Sequence, residues 1–364
     1  MRRGLLITTA AVVLMVTACG NSDSGTSGGG SQSGGGGDNA TIALLLPESK
    51  TTRYEQFDKP IFEAKVKQLC PNCKVLYSNA DQDPAKQQGQ VESALTQGAK
   101  VLVLDAVDAA TVAPLVNQAK QKNVPVLAYD RLISGIGYEY YVSFDNVKVG
   151  EVQGKALLDE LNKRGTVDKG QIVVVNGAPT DPSAGDYKKG AHQALDGKIK
   201  IGREFDTPDW SPDKAQQQME QAITALGRDQ IVGVYSANDG MASGIIAAMK
   251  RAGYATLPPV TGQDAELAAV QRIITGEQTM TIYLNIRAQA EKSAELAVAM
   301  AKGDKPAAPT KTNNGTADIP TFLLDPIAVS KDKIKDTIVK DGFYTVAQIC
   351  TPEVAEACKA AGLQ

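Results

Sequence analysis

Ten polar side chains stand where apolar runs of this chain end: Arg53, Tyr54, Asp130, Arg131, Asp145, Asn146, Asn238, Asp239, Gln263 and Asp264. No nucleophile is paired with a base among them, and no metal-ligand spacing occurs. A single histidine, His192, disfavours a Ser-His-Asp hydrolase or a histidine-rich metal site. What the set does suit is a neutral, polyhydroxylated ligand. Each carboxylate accepts two hydroxyl protons, and each Arg or Asn donates in return. Tyr54 and Trp210, the sole tryptophan, would cover the apolar faces of such a ligand.

Positioning these groups calls for strands that end together. The stretch 123–146, NVPVLAYDRLISGIGYEYYVSFDN, holds two short apolar runs, 124–128 and 140–144. The first ends in Asp130-Arg131 and the second in Asp145-Asn146. Ligands of open parallel α/β sheets bind just beyond the carboxyl ends of the strands. Upstream, apolar strands at 41–46, 74–77 and 101–104 alternate with amphipathic helical stretches, which predicts a βαβ series and a parallel sheet covered on both faces. The pattern restarts after 149, with strands at 171–175, 199–205, 231–235 and 259–261. Strand, acidic loop, helix and strand recur with carboxylates at the same points, Asp105, Asp108 and Asp130 in one half and Asp239 and Asp264 in the other. The expected fold is therefore α/β, two Rossmann-like lobes whose strand ends face each other across a cleft. Segments near 282 and 324 lie beyond the repeat and would carry the chain between lobes as a three-segment hinge.

The first forty residues read differently. Arg2 and Arg3, an apolar run over 5–16 and Val16-Thr17-Ala18-Cys19 have the form of a secretory signal over residues 1–18. Residues 19–40 are Gly/Ser-rich and are expected to be a flexible tether. The formal net charge is −3, without a basic cluster, which argues against nucleic acid or another polyanion as partner. Cys70, Cys73, Cys350 and Cys358 in an exported chain are expected as two disulfides, the local pairings Cys70–Cys73 and Cys350–Cys358 being favoured over the crossed ones.

The segments LPESKTTRYEQ (46–56), VLAYDRLI (126–133), YYVSFDNVKVGEVQ (140–153), NGAP (176–179), WSPDKAQ (210–216), SANDGMASGII (236–246) and TGQDAELAAVQRIITGEQTMTIY (261–283) resemble the sugar-binding lipoproteins of bacterial ABC importers, within the periplasmic-binding-protein type I fold. The resemblance is strongest to the xylose- and multiple-sugar-binding branch. It implies lobes of 41–143 with 284–322 and 144–283 with 323–349, followed by a disulfide-closed tail, 350–364. It also implies a monosaccharide ligand, an ABC permease as partner, no cofactor, no enzymatic activity and a monomer. Cys19, in a lipobox-like context, would carry a lipid that anchors the protein to the outer face of the cytoplasmic membrane. Carried over by position, the sugar ligands fall on Arg53, Asp130, Arg131, Asp145, Asn146, Trp210, Asn238, Asp239 and Asp264. Two departures bear on specificity. Pro182-Ser183 stands where relatives have an Asn pair, and Leu284 where they have Lys, so Ser183 and Leu284 would leave room for a different pentose or a hexose.

Other readings make different demands. A sensor subunit that hands sugar to a chemoreceptor or histidine kinase would look the same in sequence. An extracellular glycosidase needs two carboxylates flanking the scissile bond, whereas here each acid is accompanied by an Arg or Asn. A transcription regulator of this fold would need a DNA-binding domain where the tether stands.

Overall fold

Thr41–Leu46 alternates its side chains in the way that a strand buried on both faces requires. Ala43 and Leu45 enter one apolar cluster, and Ile42, Leu44 and Leu46 enter another. A computed structural model describes residues 38–363, and Gly36–Gln364 forms one compact unit. In chain order the first part comprises β1 (Thr41–Leu46), α1 (Lys59–Leu69), β2 (Lys74–Asn79), α2 (Pro84–Thr96), β3 (Val101–Leu104), α3 (Ala113–Gln121), β4 (Val126–Tyr129) and β5 (Tyr140–Phe144). It is followed by α4 (Asn146–Arg164), β6 (Gln171–Asn176), α5 (Pro182–Leu195), β7 (Ile201–Asp206), α6 (Pro212–Leu226), β8 (Ile231–Ser236), α7 (Asp239–Arg251), α8 (Leu267–Thr275) and β9 (Met280–Tyr283). The chain closes with α9 (Ile286–Ala301), β10 (Thr310–Asn313), β11 (Asp318–Leu324), β12 (Ile327–Ser330), α10 (Val346–Ile349) and α11 (Ala355–Ala360).

The first lobe holds a seven-stranded sheet in the order β10-β11-β5-β4-β3-β1-β2, parallel except for β10. The second holds β7-β6-β8, parallel throughout. Val260 bridges to Val234 on β8 and Gln263 to Ile282 on β9, and these bridges connect the antiparallel β9–β12 pair to that sheet. The chain crosses between lobes after β5, after β9 and between β11 and β12.

Three details differ from the sequence reading. The strand expected at 259–261 is reduced to the isolated Val260 bridge, because Pro258 and Pro259 supply no amide hydrogens. Residues 310–313, which the sequence reading assigns to no strand, are strand β10 at the sheet edge, where a polar, exposed TKTN is tolerated. The C-terminal tail belongs to the second lobe's core rather than standing apart. Ile349, Cys358 and Leu363 are buried in it, and Gln271 on α8 donates to the Ile349 carbonyl at 3.1 Å. Both local disulfides are formed, Cys70–Cys73 and Cys350–Cys358. Cys19 and the signal and tether expectations lie outside the described residues. Among the described residues no helix is long and apolar enough to cross a membrane.

Candidate functional site

Where the carboxyl ends of the two sheets meet, Glu48, Thr51, Arg53, Tyr54, Asp130 and Arg131 of the first lobe face Asp181, Tyr187, Trp210, Asn238, Gln263 and Asp264 of the second. They line one narrow polar cavity.

On the first-lobe side, β1 ends at Leu46 and the chain winds through a π turn, Tyr54–Asp58, into α1. Such turns are rare and concentrate at functional sites. This one presents Arg53 and Tyr54 to Asp130. Arg53 Nη1 lies 3.3 Å from Asp130 Oδ1, and the Tyr54 hydroxyl donates to Oδ2 at 3.1 Å. Gln289 Nε2 donates to the same Oδ1 at 2.9 Å, while its carbonyl accepts from Arg53 Nη2 at 2.6 Å. Asp58 holds the other side of the guanidinium at 2.8 and 3.1 Å. Burial alone would raise the Asp130 pKa, but Arg53, the Gln289 hydrogen bond and Arg131 outweigh it and hold it below the ordinary value. Asp130 is thus a pre-formed anion.

On the second-lobe side, Asp181 begins α5, its Oδ1 accepting from the Ser183 amide at 2.9 Å, as a residue before Pro at the first helical position should. Its Oδ2 accepts from Trp210 Nε1 at 3.2 Å and lies 3.0 Å from Arg131 Nε of the first lobe. Arg131 also donates to the Ala106 carbonyl at 3.1 Å and lies 3.5 Å from Asp105. One buried guanidinium therefore ties the lobes together across the cavity. Helix α5 reaches this position because α4 packs directly on it. A Cβ at Gly150 would lie 1.9 Å from the Tyr187 carbonyl oxygen, and one at Gly190 1.9 Å from that of Val147.

Trp210 sits at φ 52°, Asp130 at 62° and Asp264 at 91°, three non-glycine residues in the left-handed region around one cavity. Backbone strain of this kind persists only where surrounding contacts over-determine it. The Trp210 ring lies flat over Gly177, where a Cβ would come within 2.1 Å of the indole. We expect Gly177→Ala to displace that ring, break its bond to Asp181 and cost 1–3 kcal/mol of stability, about the usual penalty for overpacking. Urea unfolding read by the sole tryptophan's fluorescence measures this directly.

The lining set brings together eight of the residues selected from sequence: Arg53, Tyr54, Asp130, Arg131, Trp210, Asn238, Gln263 and Asp264. Three others lie elsewhere. Asp145 caps α4, accepting from the Lys148 amide at 3.1 Å. Asn146 is buried beside the cavity and donates to Ser183 Oγ at 3.1 Å, its own Oδ1 finding no partner. Asp239 has no exposed surface and is enclosed by Gln278 Nε2 at 2.6 Å, Thr281 Oγ1 at 2.8 Å and the Glu266 amide at 3.0 Å. It braces β9 against α7 behind the cavity. Ser183 and Leu284 do not line the cavity either, and Leu284 packs into the second lobe's apolar cluster. The strand-end reading had reached Gln263, whose buried Oε1 is without a partner, but Glu48, Thr51, Asp181 and Tyr187 were missed. Asp181 carried a local signal, an Asp-Pro helix start one residue after NGAP.

Carboxylates outnumber guanidiniums in this enclosure. Burial pushes the pKa of Asp264 well above its ordinary value, Asp239, Glu266 and Asp130 push it the same way, and Arg53 offsets only part of the rise. Glu48 and Asp181 are raised, also chiefly by burial. Among the described residues no group of three His, Cys, Asp or Glu is placed to hold a metal ion.

Residues 42–305 match the family described as periplasmic binding protein domain. The chain is 36% identical to a D-xylose-binding periplasmic protein of Escherichia coli over 313 residues, covering 85% of this chain and 92% of that one. It is 35% identical to a multiple sugar-binding periplasmic receptor of Rhizobium radiobacter, covering 74% and 81%. A crystal structure of an ABC transporter solute-binding protein from Clostridium phytofermentans with bound β-D-glucose superposes with a TM-score of 0.78 at 28% identity, covering 85% of this chain and 99% of that one. Two lobes, crossed three times by the chain and closed on a polar cavity, together with this match over most of the length, place the protein in the periplasmic binding protein domain family.

Proposed function

We propose that the protein is an extracytoplasmic solute-binding lipoprotein that captures a monosaccharide, a xylose-like pentose or a related aldose, and delivers it to an ABC importer. The observation that carries this reading is the cavity itself, enclosed between lobes and lined with paired acids, guanidiniums, amides and aromatic rings. In it Asp130 is held ionised and, with Arg53, Gln289 and Tyr54 already on it, would accept one hydroxyl proton at Oδ2, while Arg53 and Arg131 donate to ring or hydroxyl oxygens. Trp210 and Tyr187, in edge contact at 6.3 Å between centroids, offer apolar surface to the ring's C–H groups.

Capture follows from differential contact. The first lobe contributes Arg53, Tyr54, Asp130 and Arg131, and the second contributes Asp181, Trp210, Asn238 and Asp264. Only the closed arrangement offers both sets, so a sugar that touches both favours closure. Charge-assisted hydrogen bonds contribute about 1.5–3 kcal/mol each. The three crossings between lobes would act as the hinge. Turnover finds no support in the arrangement, because Asp130 is already engaged by Arg53, Tyr54 and Gln289 rather than poised as an acid or a free nucleophile. Acylation at Cys19 would keep the body on the membrane beside its permease.

A thermal-shift panel of pentoses and hexoses on residues 36–364 tests the reading. A sugar at about 100 times its Kd adds roughly 2.7 kcal/mol of stability, a rise of several degrees. We expect one or two aldoses to give such a shift. If no monosaccharide moves the transition, the sugar assignment falls.

A further inference from the structure

The Cys350–Cys358 tail, which sugar capture leaves without a role, is positioned to act on closure. Tyr54 and Phe57 lie in one turn yet serve different lobes. Tyr54 is buried in the first-lobe cluster with β1, whereas Phe57 packs against the second lobe's core. Its ring stacks on Phe343 with centroids 4.1 Å apart and 23° between planes, and meets Tyr344 edge-on at 5.5 Å. Phe343 in turn contacts Tyr344 at 4.9 Å and Tyr283, the last residue of β9, at 5.2 Å. Phe343 and Tyr344, which lead into the tail, are both buried, at 6% and 3% exposure.

The tail is held firmly enough to serve as a fixed anvil. Thr345 and Gln348 form a reciprocal capping box at the start of α10. Beyond it the disulfide closes residues 350–358, and Cys358 and Leu363 are buried in the second-lobe core. Close by, the Thr52 amide reaches Glu266 Oε1 at 3.4 Å, a second contact from the Arg53 segment to the second lobe.

We propose that Phe57 and Phe343 form an aromatic clasp between lobes, in which the disulfide-stapled tail grips the turn that carries Arg53 and Tyr54 and so holds the cleft closed over its ligand. Phe57 and Phe343 are positioning residues: neither lines the cavity, and both act through the turn. Stacked rings contribute beyond their buried area. A contact made in the closed form and lost in the open form shifts the balance between the two and slows release. The clasp rests on the capture reading above, but lobe opening can be measured without any sugar, so the two can fail separately.

The test uses Phe57→Ala, Phe343→Ala, the double variant, and Phe57→Leu as the conservative control, in residues 36–364. D-xylose and D-glucose are the probes. Each single variant is expected to raise Kd tenfold or more, mainly through faster dissociation in stopped-flow, with the association rate within about twofold. The double variant should be no weaker than the weaker single one, because both remove the same contact. Phe57→Leu should recover part of the loss. Small-angle scattering of sugar-free protein should show a larger radius of gyration for both Ala variants than for wild type. Dissociation rates and scattering curves unchanged in folded variants overturn the clasp, as do additive single effects. If neither of these sugars nor any other of the thermal-shift panel binds wild type, the capture reading fails and the scattering comparison alone decides: expansion supports the clasp, and unchanged curves sink it. Cys350→Ser with Cys358→Ser gives a second route, expected to raise the dissociation rate in the same direction without touching Phe57.

Discussion

Asp130→Ala is expected to raise the Kd for the cognate sugar by about a hundredfold or more. Three groups converge on this carboxylate, Arg53 at 3.3 Å, Tyr54 at 3.1 Å and Gln289 at 2.9 Å, and all are buried. Removing one partner of a buried, hydrogen-bonded charge pair costs about 3–5 kcal/mol, because the remaining charge is stranded. Here the loss is softened on one side, since Asp58 still holds the Nε–Nη2 edge of the Arg53 guanidinium. It is aggravated on the other, since Gln289 and Tyr54 lose the acceptor that fixes their orientation. The substitution therefore removes a ligand to the sugar and loosens another, Tyr54. Asp130→Asn keeps the shape but turns one acceptor into a donor facing Arg53 or Tyr54, and should recover little. Isothermal titration with the sugar identified by thermal shift measures the effect. An Asp130→Ala variant that binds within threefold of wild type would place the ligand elsewhere in the cleft.

The sequence made the architecture legible because parallel strands buried on both faces are short apolar runs, and VLVL (101–104) or VLAY (126–129) permits little else. Strand ends then located Arg53, Asp130, Asn238 and Asp264 without further information. What strand ends do not give is side-chain direction. Asp239 and Asn238 are neighbours at one strand end, yet Asn238 lines the cavity while Asp239 turns inward to Gln278 and Thr281. Asp145 follows a strand as Asp130 does, but it starts a long helix, and its carboxylate is spent on the Lys148 amide. Asp130 escapes that fate because its backbone turns left-handed, at φ 62°, and no propensity of Asp or Arg announces such a turn. Asp181 was passed over for the opposite reason: it is a helix cap that also serves the cavity, one oxygen for each task. The departures at Ser183 and Leu284 were legible as differences but not as consequences, since both side chains sit behind the lining.

The inward turn of Asp239 has a thermodynamic cost that pH should reveal. Three donors aimed at the carboxylate favour its anion, yet burial, with Glu266 adding, outweighs them and Arg272, and the pKa is pushed up to about 7 from an ordinary 3.8. The folded protein therefore keeps a proton there over an interval in which the unfolded chain has released it. The stability this confers is fully present below the unfolded value, near pH 4, and is lost as pH rises through 7. Asp239→Asn has no such proton to lose. The unfolding free energy of wild type relative to Asp239→Asn should thus fall by about 2–3 kcal/mol between pH 5 and pH 8, each pKa unit being about 1.4 kcal/mol. Urea unfolding of both proteins at the two pH values measures the difference, and any constant offset from the changed hydrogen bonds cancels. A difference that does not move with pH would mean that Gln278 and Thr281 hold Asp239 ionised throughout. Those two residues flank and belong to β9, the strand from which the chain crosses to the first lobe, and the same proton removes a negative charge that acts on Asp264. Acidification toward pH 5 should then stabilise the second lobe at the place where the ligand must be met by both.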